Sequence, residues 1–122
     1  MGRFVIKSCE DGLKFDLVAA NREVIATSDT YNSKASCLKG IASVAKNAPV
    51  AALEDNTVSA PKKQINPKFE IFRGEEGEFR FVLRAKNGQA IVFSEGYKAK
   101  ASCKNGIASV RKNAVNPDIV EK

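Results

Sequence analysis

Along the first half of the chain, apolar residues alternate with polar ones in short runs bounded by turn formers, the period of β-strands with one buried face. Phe4 and Ile6 share one face of a strand over Phe4 to Ser8, and Leu13, Phe15, Leu17 and Ala19 share one face of the next. In the second half Phe69 and Ile71 repeat the first parity. Phe79, Phe81, Leu83 and Ala85 repeat the second, with Arg80, Val82, Arg84 and Lys86 opposite. Third strands are predicted over Val24 to Ser28 and Ala90 to Ser94, where the two serines help to end them. Acidic, glycine-bearing hairpin turns are expected at Cys9 to Gly12 and Gly74 to Gly77. Asn87-Gly88 predicts a two-residue type I′ turn, in which both central positions take positive φ, with Asn21-Arg22 as a weaker counterpart. Glu78 is one residue extra in the second half; it predicts a bulge or a longer turn, since a slip within the strand would invert its faces.

The period then becomes helical. Cys37, Ile41 and Val44 recur on one stripe, as do Cys103, Ile107 and Val110, so each half carries one helix with an apolar face for the sheet. Ser33 is the expected N-cap of the first helix, whereas Lys98 and Ala99 offer the second no comparable cap. Gly40 and Gly106 lie mid-helix, where glycine costs about 1 kcal/mol relative to alanine. They share a small-residue face with Ser36, Ser43, Ser102 and Ser109, which predicts that the two helices cross there. Asn47 and Asn113 suit left-handed C-terminal caps. Pro49 and Pro117 each precede a short apolar stretch, Val50 to Glu54 and Ile119 to Val120, that predicts a further strand.

These parallels reflect a tandem duplication: YNSKASCLKGIASVAKNA, Tyr31 to Ala48, returns with most residues identical as YKAKASCKNGIASVRKNA, Tyr97 to Ala114. The division is a first repeat at 1–54, a linker at 55–68 rich in Asn, Ser, Thr, Pro and Lys, and a second repeat at 69–122. One repeat alone, at about 55 residues, is marginal. Two copies sharing one core resolve this, so the chain is expected to be a single α+β unit of two β-β-β-α-β repeats and a monomer.

The Phe-x-Phe-x-Leu-x-Ala strand, the Asn-Gly turn, Ser-Glu-x-Tyr, the lysine three positions after the tyrosine and Gly-Ile-x-Ser-Val with Asn-Ala resemble the YegP-like family of bacterial proteins. The resemblance spans both repeats and departs from the pattern at Asp29-Thr30 and at Arg22, where the second repeat has Glu95-Gly96 and Gly88. It implies a pseudo-two-fold unit in which a sheet wraps around a pair of helices and the last strands are exchanged between halves. It implies no activity.

Composition narrows the chemistry. The odd count of three cysteines does not make a disulfide framework, and with no histidine and no Cys-x-x-Cys there is no zinc set and no imidazole base. Cys37 and Cys103 read as reduced, buried, small apolar residues. No apolar run approaches a membrane span and no signal-like amino terminus is present, so a cytoplasmic protein without a membrane role is expected. Ser43-Val44-Ala45-Lys46 and Ser109-Val110-Arg111-Lys112 match Ser-x-x-Lys but lack the companion motifs of penicillin-recognising enzymes. Gly74 and Gly77 lack the lysine and hydroxyl of a phosphate loop. No catalytic residue, metal or cofactor is predicted.

Two constellations remain. Tyr31 with Lys34, and Tyr97 with Lys100, recur where sheet passes to helix and could frame an anion near a helix amino terminus; as plain structure, the tyrosine caps the core edge and the lysine is solvated. The net charge of +6 is uneven. No acid occurs between Gly96 and Asn116, while Lys98, Lys100, Lys104, Arg111 and Lys112 do, so an anionic partner such as nucleic acid, if the protein has one, is expected to touch the second helix. An RNA-reading sheet needs outward aromatics, and of the strand aromatics only Phe72 falls on the outward parity. The reading is a small non-catalytic binding or scaffolding module whose ligand the sequence does not name, with nucleic-acid binding second and an enzyme of unrecognised type third.

Overall fold

The computed structural model describes residues 2–116 and 118–122; Pro117 lies outside them. The order is β1 (Arg3–Cys9), β2 (Gly12–Val18), β3 (Val24–Ser28), α1 (Lys34–Asn47), a 3-10 turn (Ala48–Val50) and β4 (Ala52–Asp55). It repeats as β5 (Lys68–Arg73), β6 (Phe79–Arg84), β7 (Ala90–Phe93), α2 (Lys100–Asn113) and β8 (Asp118–Glu121).

The strands form one sheet in the order β4-β5-β6-β7-β3-β2-β1-β8. Each final strand has crossed to the other repeat: β4 runs parallel to β5 and β8 runs parallel to β1. The halves meet at the antiparallel pair of β3 and β7, where Thr27 lies opposite Phe93. Phe93 follows Thr27 by the repeat offset of 66, so the pseudo-two-fold axis passes through that pair.

Phe4, Phe15, Leu17, Phe69, Phe81 and Leu83 are fully buried on the inner face with Cys37, Val44, Cys103 and Val110 of the two helices. Burying each phenylalanine contributes about 1.5–3 kcal/mol, so these rings belong to the core and not to a stacking platform. Each helix also reaches across the axis, α1 onto β7 and α2 onto β3.

Local chemistry explains the ends. The Ser33 hydroxyl accepts the Ser36 N–H at 3.2 Å, while Ala99 caps nothing with its side chain. The buried Ser28 hydroxyl accepts the Phe15 N–H at 3.0 Å and donates to Asp29 O at 2.8 Å; Ser94 does the same for Phe81 and Glu95. A side chain thereby replaces the next ladder partner and releases the strand. Glu78 lengthens the turn: Gly74 donates to Glu78 O, and β6 keeps its faces.

Three expectations are corrected. A Cβ at Gly40 would run into the Tyr31 hydroxyl and one at Gly106 into that of Tyr97, so the glycines make room for tyrosine rings and not for a crossing of the helices. Asn47 is right-handed at φ −90°, and its amide donates back to Ser43 O at 2.8 Å, because α1 runs on into the 3-10 turn; the Asn113 amide likewise bonds Ser109 O. The loop at Asn87-Gly88 holds three residues. Gly88 donates to Ala85 O, Ala85 donates to Gln89 O, and only Gly88 has positive φ, at 85°; this is a type I turn with a bulge, which suits the bulged register beside it. Arg22 takes the same left-handed place in the first repeat, at φ 71°. Among the described residues no helix is long and apolar enough to cross a membrane.

Candidate functional site

The Tyr/Lys pairs occupy equivalent corners. Tyr31 is held by a two-way backbone bridge to Leu13, its ring stacks on Phe15 at 6.1 Å, and it covers Gly40; Tyr97 repeats this on Phe79, Phe81 and Gly106. Burial raises the pKa of each phenol, aided by the neighbouring cysteine and acids, so both stay protonated. The lysines do not stay with them. Lys34 pairs with Glu121 at 2.8 Å and Lys100 with Asp55 at 2.8 Å, so each clasps the exchanged strand of the other repeat. Burial pushes the Asp55 carboxyl up, but hydrogen bonds from Lys100 and Thr57 outweigh this and hold it at about 2.

Lys98, just before α2, and Lys104 and Lys112 on it are exposed. Arg111 is not free: its guanidinium lies 5.0 Å over the Phe69 ring and donates to Ala48 O at 3.3 Å. With Lys100 also engaged, two of the five cations of this stretch serve the fold.

A third feature lies on the outer face of the sheet, away from the helices, where the halves differ. In one half Glu54 of β4 has 1% of its surface exposed. Its carboxylate accepts the Gln64 N–H at 2.7 Å, Asn56 Nδ2 at 2.9 Å and Lys68 Nζ at 3.0 Å, so segment 56–67 is fastened across this end of the sheet. The Gln64 amide, foremost, with Lys68 and Asn56 outweighs burial and lowers the Glu54 carboxyl to about 2. Glu70 completes the set with Lys68 at 3.2 Å and Arg84 at 2.6 Å.

At the equivalent places of the other half stand Val120 for Glu54, Val5 for Glu70, Val18 for Arg84 and Arg3 for Lys68. Nothing described lies over Val120, which is 39% exposed, or over Val24, 42% exposed. The result is an open groove of 460 Å³ with a valine floor and Arg3, Arg22 and Lys122 at its rim. Lys7 also lines it but is paired with Asp16 at 2.6 Å, and Asp16 accepts from Thr27 at 2.9 Å. Arg3, Arg22 and Lys122 form no ion pair among the described residues. Phe93, 36% exposed, joins Phe72 on the outward parity, where sequence reading put Phe72 alone.

Comparison with known proteins gives the lineage. The family described as Domain of unknown function (DUF1508) matches twice, over residues 10–55 and 75–121. The chain belongs to this family. The UPF0339 protein YegP of Yersinia pestis is 38% identical over 117 residues, 95% of this chain and 91% of its own. A UPF0339 protein of Bordetella pertussis is 42% identical over 113 residues, 93% and 88% of the two chains. The solution NMR structure of the protein of unknown function yegP from E. coli superposes with a TM-score of 0.81 at 34% identity, covering 99% of this chain and 92% of that one. The fold is the one the repeats implied and the family the one the motifs resembled, and these relatives are themselves uncharacterised.

The groove residues had escaped the sequence reading. Their signal is an outer-face comparison between repeats, Glu54 with Val120 and Glu70 with Val5, which acquires meaning only when the exchanged strands bring those pairs side by side.

Proposed function

We propose that the protein is a monomeric, non-catalytic binding module whose working surface is the open half of the sheet's outer face. One observation carries this reading: of the two pseudo-equivalent edges of the sheet, the β4 edge is roofed by segment 56–67, whereas no described residue roofs the β8 edge, where Val24 and Val120 are exposed beside Arg3, Arg22 and Lys122. A preformed concave surface with an apolar floor and a few convergent charges is the usual form of a ligand site. The shifted carboxyls of Glu54 and Asp55 are closed into hydrogen-bonded sets and kept ionised, and burial raises the thiols of Cys37 and Cys103; these groups serve structure and not acid-base or nucleophilic chemistry. The Tyr31/Lys34 and Tyr97/Lys100 corners read as clasps of the exchanged strands. Lys98, Lys104 and Lys112 suffice for weak phosphate contact, with a log-log salt slope on duplex DNA no steeper than about −3.

The test is a thermal-shift screen of organic acids, short peptides, nucleotides and oligonucleotides on the wild type and on Val120→Glu, which places a carboxylate beside Arg3 as Glu54 lies beside Lys68. Ligands that raise the melting temperature of the wild type only would support the reading. Ligands that act equally on both proteins, or none that act, would refute it.

A further inference from the structure

Resting on the groove being the binding surface, we infer that its occupant is an acidic segment of another polypeptide, lying in extended form over β8, β1 and β2 with its carboxylates on Arg3 and Arg22. The pseudo-symmetry supplies the template. Lys68 has two carboxylates, Glu54 and Glu70, whereas its counterpart Arg3 has Val120 and Val5 in those positions. The cation has been kept and both of its anions replaced by apolar side chains. A guanidinium beside a valine floor is a fork-shaped donor without an acceptor, and a carboxylate brought from outside matches it in charge and geometry.

Arg22 is a second, independent observation. The left-handed position that Gly88 fills at no cost is filled here by arginine, against a steric penalty, and that arginine lines the groove. Backbone strain at a ligand-facing residue points to a role for its side chain. With Lys7 neutralised by Asp16, the remaining charged side chains of the rim, Arg3, Arg22 and Lys122, are all cationic, so the favoured complement is anionic.

That the occupant is polypeptide follows from the roofed half. There the chain itself spans the end of the sheet, presenting the Gln64 main-chain N–H and the Asn56 side chain to Glu54. In the open half the polarity is reversed: the sheet offers the cation, and the visiting chain brings the carboxylate and aliphatic side chains for Val5, Val18, Val24 and Val120. Among the described residues β8 pairs with β1 alone, so this border of the groove is open to an arriving chain.

The experiment is fluorescence anisotropy of the intact protein with a labelled peptide alternating glutamate and valine, beside its lysine–valine counterpart and free octanoate. Saturable, salt-sensitive binding of the acidic peptide alone is expected. It should weaken about tenfold in Arg3→Gln and in Arg22→Gly, the loss of one charged hydrogen bond each, and vanish in Val120→Glu. Circular dichroism melts of the variants separate lost binding from lost fold, and Arg22→Gly, which relieves strain, serves if Arg3→Gln proves unstable. Octanoate binding that Val120→Glu abolishes, without peptide binding, would overturn the peptide assignment and leave the groove as the site. Preference for the basic peptide, or acidic-peptide binding indifferent to all three substitutions, would overturn the inference; no binding by any probe in a protein whose screen finds other groove ligands would overturn it as well.

Discussion

Arg3 and Lys68 hold the same place in the two halves of the sheet, yet only Lys68 meets carboxylates, Glu54 at 3.0 Å and Glu70 at 3.2 Å. The duplication has kept one core twice, while the two outer surfaces carry different residues. In the second repeat's half the polar set fastens the connecting segment; in the other no described residue covers the same scaffold.

The fastening has a pH signature. Glu54 in the folded protein is held at about 2, below its ordinary 4.5, so its contribution is present above 4.5 and is lost as pH falls towards 2. Asp55, at about 2 against 3.8, acts in the same direction. Glu54→Gln should lose about 3 kcal/mol at neutral pH, because Lys68 is left half-paired in a buried site, and its stability should fall less steeply through the acid range. Urea denaturation at a series of pH values measures both, and parallel curves for wild type and variant would contradict the assignment.

The tyrosine lids predict a coupling. Gly40→Ala should destabilise by about 1–3 kcal/mol, because its methyl group meets the Tyr31 ring. Much of that cost should vanish in a Tyr31→Ala background, since the two sites touch. A double-mutant cycle that is additive would return the glycines to some other role.

Strain at Arg22 is separable from its charge. Arg22→Gly relieves about 1 kcal/mol of left-handed strain and gives part of it back as chain entropy, so the denaturation midpoint should hold or rise. Gly88→Ala should lower it. A clear fall for Arg22→Gly would show that the arginine stabilises its own turn.

Thiol labelling probes the core stripe. Cys37 and Cys103 have no exposed surface, and burial raises both thiols, that of Cys103 to about 11. A thiol reagent should modify Cys9 in the native protein and reach the other two only on unfolding. Native labelling of all three would refute the packing.

Much of this fold was legible because period and duplication spoke together. Phe15 and Phe81 alternate with polar partners, Cys37 and Cys103 mark the helical stripes, and Ser33 announces its cap. The turn at Gly88 misled because Asn-Gly also fits the last two places of a three-residue loop, which only the bulged register of Arg84 with Ala90 decides. Gly40 misled because a small residue in a helix says that something is close and not what; the Tyr31 ring returns to it from nine residues earlier in the chain. The groove was hidden for a longer-range reason. Val120 means nothing beside its neighbours in sequence, and becomes informative only when strand exchange sets it against Val5 and the pseudo-symmetry sets it against Glu54.

The most direct measurement is chemical-shift mapping by heteronuclear NMR, titrating the labelled protein with the glutamate–valine peptide at low salt. The account predicts that the resonances of Val5, Val18, Val24 and Val120 move together and saturably, while Glu54 and its partners under segment 56–67 stay still. Shifts centred on Tyr31, Lys34, Tyr97 and Lys100, or strung along Lys98 and the α2 residues Lys104 and Lys112, would contradict it.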